Sequence, residues 1–348
     1  MPMPSENPQP VTARLTSAAQ LVASLPVYLG FTPTESVVVV CQDEPRGRVG
    51  LTMRFDLPAP EHEELFVDDA VRRVLKQTPS RLVVAVYTSE PDGAEPARAA
   101  LVDTLLDRLP RGLRITDAVL VRDGRFWSYL CDDRCCCPSE GTPVEAARDD
   151  DQVRVIEAAQ VLRGRAPLPD RTALERSLAG PVFLAAARAR AVFERVEAEL
   201  ARDWREDRDE AQEQLLDEWE AAVGGQPALP NDVQAARLVV SLEDRLLRDT
   251  VAASFAPDVL LPLLAELCRR TPEPYDAGIA TLFAWTAYCE GGGAEVTIAL
   301  DRAQRTDPAY SLAGLLRAHV DQQTSPEELR RVTREVADVL PLRRRSSD

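Results

Sequence analysis

The stretch "ITDAVLVRDGRFWSYLC", residues 115–131, decides how the first half of the chain folds. Two apolar runs flank Asp123-Gly124, and an Asp-Gly pair supplies the positive-φ positions of a tight turn whose twist matches that of the strands it joins. The stretch reads as a β-hairpin. Side chains alternate along a strand, so Trp127, Tyr129 and Cys131 are expected on one side of the second strand and Phe126, Ser128 and Leu130 on the other.

An isolated hairpin is only marginally stable, so further strands must pair with it. Upstream, "SVVVVC" (36–41) is a β-branched run of buried-strand type, "QDEPRGR" carries turn chemistry, and "VGLTMRFDL" (49–57) alternates as a strand should. A helix over 61–77, a strand over 81–87 and a helix over 94–109 follow. Before the first strand, "SAAQLVASLPVYLGF" (17–31) places Leu21, Val22, Leu25 and Leu29 at helical spacing, and Pro26 is expected to interrupt or kink that helix. The element order predicts an α/β domain over 15–147 with a mixed sheet ending in the Asp-Gly hairpin, behind a Pro-rich lead over 1–14.

From about Asp151 the periodicity changes. Phe193, Val196, Leu200 and Trp204, then Ala211, Leu215 and Trp219, recur at helical intervals, and "GGQPALPND", "FAPD" and "RRTPEPYD" supply stops and N-caps. An all-α domain over 151–340 is expected, with a tail over 341–348. Within it, Tyr288, Gly291, Ala303 and Pro308 fall where a tetratricopeptide-like helix pair wants its packing tyrosine, tight turn, small residue and helix stop. Val296 stands where a small residue is usual, and no second copy follows at that repeat's period.

Composition excludes several classes. A net charge of −16 repels phosphate backbones, which disfavours nucleic acid and anionic membranes as partners. The chain's one lysine, Lys76, has no glycine-rich loop before it, so Walker-type nucleotide hydrolysis is excluded. No GxSxG, HExxH, GxGxxG or EF-hand pattern occurs. No window reaches the roughly 18 apolar residues of a membrane span, and "MPMPSENPQP" lacks the regions of a signal peptide. With an odd count of seven cysteines, the expected location is the reducing cytoplasm. The run 199–220 holds ten acids and three arginines, a solvated helix face or an acidic docking surface.

The chemistry-bearing block is "DGRFWSYLCDDRCCCPSEGTP", 123–143, with four of the seven cysteines. Cys131, Cys135, Cys136 and Cys137 offer a zinc knuckle, but adjacent cysteines point apart in an extended segment, and His62 and His319 are remote. Zinc is therefore not favoured as a cofactor. A reactive thiol would need a positive setting, which Arg125 and Arg134 supply and Asp132 and Asp133 oppose. The reading preferred here is a proline-bounded turn at the sheet end whose cysteines pack as small hydrophobes. As a loop held by a sheet, it remains the leading candidate pocket wall, through Arg125, Trp127, Tyr129, Cys131, Cys136, Cys137 and Glu140. A secondary candidate is the loop with Gly30 and Ser36, beside Arg54 and Asp56 on the second strand; a plain helix-to-strand connection and a partly exposed ion pair explain these more simply.

Together, "LPVYLGFTPTESVVVV", "RFDLP", the 123–143 block and "DPAYSLAGLL" resemble a large actinobacterial family described only as a domain of unknown function. Cys131, Cys136, Cys137, Pro138, Glu140, Gly141 and Pro143 fit its motif, whereas Cys135 stands where other residues are usual. The resemblance spans nearly the whole chain and brings no activity with it. The expected function is an interaction or regulatory module with a protein or small-molecule partner at the 123–143 loop; the alternative is an enzyme using thiol or metal chemistry there.

Overall fold

The computed structural model describes residues 13–43, 48–133, 135, 137–162, 165–225 and 230–340. The expected lead up to residue 12, the tail from residue 341, Arg134 and Cys136 lie outside these residues. Contacts divide the chain into two compact units, Met1–Arg171 and Thr172–Asp348.

The first unit opens on α1 (Ala18–Leu29), whose start is fixed by a capping box between Ser17 and Gln20 and whose end is Gly30 in the left-handed region. Pro26 does not interrupt it: the helix runs on to Leu29 with Pro26 buried in its packed face. Proline has no N–H to give the carbonyl of Val22, so one rung of the ladder is lost, and burial of the surrounding apolar residues holds the helix together.

Six strands form one sheet in the order β2-β1-β3-β4-β5-β6 among the described residues. They are β1 (Ser36–Asp43), β2 (Arg48–Asp56), β3 (Arg81–Tyr87), β4 (Arg114–Arg122), β5 (Arg125–Ser128) and β6 (Thr142–Pro143). Only β3 and β4 pair in parallel, joined through α3 (Ala99–Arg108); the other neighbours are antiparallel, so the sheet is mixed. Val37 to Val40 are at most 1% exposed, which explains the unbroken valine run: both faces of β1 are covered. Burying each such side chain stabilises by about 1.5–3 kcal/mol.

On one face, Val37, Val39, Val84, Val86 and Ala118 pack against Val67, Ala70 and Val74 of α2 (Glu63–Lys76) and Leu101, Val102 and Leu105 of α3. By alternation Val38, Val40, Val83, Ala85, Tyr87, Val119 and Val121 face the other way. On that side stand α1, α4 (Glu145–Arg148) and α5 (Asp151–Val161), which meet through Ala23, Ala147 and Val153. Because α5 packs on α1, the first unit continues past Asp151, where the periodicity changes, to Arg171.

The Asp-Gly turn forms as the sequence predicts, with Asp123 at φ 50° and Gly124 at φ 72°. The strand after it is shorter than the alternation implied, ending at Ser128 instead of Cys131. One further backbone bond to β4 follows, Tyr129 N to Ala118 O at 2.7 Å, while Ser128 Oγ donates to Asp117 Oδ1 at 2.7 Å and accepts from Leu130 N at 3.1 Å, which ties up the strand end.

The second unit is helical, and no strand follows β6 among the described residues. It comprises α6 (Arg171–Ser177), α7 (Phe183–Glu206), α8 (Arg208–Gly224), α9 (Asp232–Ser241), α10 (Arg245–Ser254), α11 (Pro257–Arg270), α12 (Asp276–Cys289), α13 (Ala294–Thr306), α14 (Ser311–Asp321) and α15 (Pro326–Val339). Asp207, Asn231, Asp244 and Ser325 cap their helices with side-chain oxygens. Helix α12 is buried nearly all round, as the central element of a bundle should be, and packs on α11, α13 and α15. The turn from α12 to α13 passes through Gly291 at φ 77°, and Ala303 of α13 is fully buried.

Candidate functional site

In a sheet with parallel strands, the carboxyl ends of those strands are where ligands bind, because the connections leave and return there. The carboxyl ends of β3 and β4 border a cavity of about 400 Å³. Its walls come from α1 (Val22, Pro26), the α1–β1 loop (Thr32 to Glu35), the end of β3 (Tyr87 to Ser89), the β4–β5 turn (Val121 to Gly124) and the start of α4 (Val144, Glu145, Arg148).

Tyr87 is the last residue of β3 and is 7% exposed, yet its hydroxyl meets no hydrogen-bond partner among the described residues. A buried hydroxyl left unpaired costs about 1–3 kcal/mol, so such groups are exceptions that call for a reason. Burial pushes the Tyr87 phenol upward, and the positive charge of Arg148 acts against that push. Arg148 itself meets Glu145 at 3.5 Å one turn away, a surface pair of little strength.

The rim beside Tyr87 is rigid. Glu35, at φ 40°, accepts from Ser89 N at 2.7 Å, Ser89 Oγ at 2.8 Å and Thr88 Oγ1 at 3.0 Å. Burial raises its carboxyl, but these donors and the charge of Arg98 outweigh it and hold Glu35 below its ordinary range. The next segment is clamped by arginines: Arg122 holds Asp92 at 2.8 and 3.2 Å, and Arg98 joins Glu63 at 2.8 Å and Glu90 at 2.5 Å. Hydrogen bonding from Arg122 lowers Asp92, against burial and with help from Ala97 N.

The predicted 123–143 block is divided by the sheet. Its turn, Asp123-Gly124, lines the cavity. Phe126 pairs with Val121 and so shares the face of Tyr87, whereas Trp127 pairs with Leu120 and lies on the opposite face. There Trp127 Nε1 donates to Ser139 O at 3.0 Å, its ring lies 5.3 Å from the Arg122 guanidinium carbon, and Arg125 donates to the carbonyls of Glu140 and Gly141 at 3.2 and 2.9 Å. Tyr129 spends its hydroxyl on Ala97 O at 2.6 Å. These side chains clasp the loop onto the sheet edge.

Asp133 turns the cysteine segment, accepting from Cys135 N through its side chain at 2.8 Å and from Cys137 N through its carbonyl at 2.7 Å. Cys131 and Cys137 are half-buried and Cys135 is exposed; Cys136 lies outside the described residues. Among the described residues no group of three or more His, Cys, Asp or Glu side chains is arranged to hold a metal ion.

Of the secondary residues, Ser36, Arg54 and Asp56 come together, and Gly30 is engaged elsewhere. Arg54 Nε donates to Ser36 Oγ at 2.9 Å and its guanidinium pairs with Asp56, while Gly30 O accepts from Leu168 N at 2.9 Å. The loop between Gly30 and Ser36, the secondary candidate of the sequence, supplies a cavity wall through Thr32 to Glu35. Tyr87 and Arg148 were missed altogether. The available signal was an aromatic hydroxyl ending the first strand of a β-α-β unit, "LVVAVYTS", which gains meaning only once β4 is known to lie parallel beside it.

The geometry defines a class: a mixed α/β unit with a polar-ended cavity at its parallel strand ends, in one chain with an all-helical unit. The chain belongs to the family described as "Domain of unknown function (DUF4192)", whose model matches residues 19–327. No curated protein and no solved structure matches it. No helix among the described residues is long and apolar enough to cross a membrane.

Proposed function

We propose that this chain is a cytoplasmic regulatory module of an actinobacterial family, in which the α/β unit binds a small molecule and the helical unit docks a protein partner. The observation that carries the ligand reading is the buried, unpartnered Tyr87 hydroxyl at a cavity of about 400 Å³, a volume suited to a metabolite. The 123–143 block takes part through its turn at the cavity and through the clasp that fixes β5 behind it. The acidic run 199–220 and the α12–α13 pair support the docking role. Cytoplasmic residence is part of the same proposal, and the odd count of seven cysteines, which argues against a complete disulfide framework, supports it.

A thermal-shift screen of small metabolites on the full chain tests the ligand reading. Thr34 lines the cavity with an exposed side chain, so Thr34→Trp obstructs the mouth without disturbing the core. Compounds that raise Tm in the wild type are expected to lose that effect in Thr34→Trp. Shifts that survive the substitution would place binding elsewhere and reject the reading.

A further inference from the structure

We propose that the ligand is a monoanionic carboxylate on a short apolar body, held by the Arg148 guanidinium and the Tyr87 hydroxyl; this rests on reading the cavity as a ligand site. Two features of the wall select the body. Val22, Pro26, Val121 and Val144 give it an apolar surface, and the rigid Glu35–Ser89 rim bounds its length.

Three features select the head group. Tyr87, buried and unpaired, has a proton to donate, and an oxyanion is the acceptor that such a donor stabilises most. Among the described residues the Arg148 guanidinium meets a single weak ion pair, with Glu145, whereas Arg122 is held by Asp92 through a bidentate pair and lies over the Trp127 ring. The lining carries three carboxylates, Glu35, Asp123 and Glu145, against two guanidiniums, so the site tolerates one added negative charge far better than two. A phosphate would further want a cluster of backbone N–H groups, and three of those on cavity residues are spent: Val144 N on Gly124 O at 2.9 Å, Thr88 N on Val121 O at 3.4 Å and Ser89 N on Glu35 Oε1 at 2.7 Å.

The experiment is a methyl NMR titration of the full chain with matched probes of three to eight carbons: carboxylates such as isovalerate, the corresponding amides such as isovaleramide, and alkyl phosphates such as isobutyl phosphate. The expected result is perturbation of the Val22, Val121 and Val144 methyls, with at least one carboxylate binding tenfold or more tightly than its amide and its phosphate. Arg148→Gln should bring carboxylate and amide to within about twofold. Amides or phosphates binding as tightly as carboxylates, or an Arg148→Gln variant that keeps the preference, would overturn the ligand class while leaving the cavity reading intact. Failure of every probe to perturb those methyls would overturn both.

Discussion

The indole of Trp127 lies directly over Gly141, where a β-carbon would sit 2.5 Å from the ring. Gly141 is also at φ 76°, a region that disfavours any other residue. Steric overlap and backbone strain act together, so Gly141→Ala is expected to destabilise the first unit by about 2–4 kcal/mol. Gly112, with open space around it and no positive φ, is the control, and Gly112→Ala should stay within about 0.5 kcal/mol of wild type. Denaturant midpoints check both, and combining Gly141→Ala with Trp127→Leu should recover part of the loss.

In the helical unit, Arg302 donates to Asp276 Oδ2 at 2.7 Å and to the carbonyls of Leu178, Cys268 and Thr271 at 2.5, 2.9 and 2.9 Å. Asp276 is 1% exposed. Removing one partner leaves a buried charge uncompensated, at about 3–5 kcal/mol. Arg302→Met should cost more than Asp276→Asn, because it also strands three carbonyls. Amide exchange across α12 measures this, and equal effects would contradict it.

The acid limb of stability has named sources. Glu35 and Asp92 are both held below their ordinary values, so the stability they contribute is present above the unfolded carboxylate range, about pH 4, and is lost as pH falls through their lower folded values. Glu35→Gln and Asp92→Asn should each flatten the decline in stability between about pH 4 and 2. Urea melts across that range check the slopes; unchanged slopes would place acid sensitivity elsewhere.

Much of the architecture was legible because it rests on local rules. The valine run of β1, the Asp-Gly turn and the caps at Asn231 and Ser325 each act within a few residues. Pro26 does not end α1, because burial along the helix compensates for its missing N–H, a tertiary effect. The site was less legible for a related reason. Val22, Glu35, Tyr87, Asp123 and Arg148 are far apart in sequence and meet only through strand order and the parallel β3–β4 pairing. Trp127 and Tyr129 drew notice by type, yet their polar atoms are engaged by Ser139 and Ala97.

The most direct test of the ligand account is the stability of Tyr87→Phe, measured without and with a compound that stabilises the wild type. A hydroxyl kept for a ligand contributes nothing to the unliganded fold, so its removal should leave the unliganded protein unchanged or more stable by about 1 kcal/mol, while the ligand-induced rise in Tm falls. A loss of 1 kcal/mol or more in the unliganded variant, with the ligand-induced rise intact, would show that the hydroxyl serves the fold and would contradict the account.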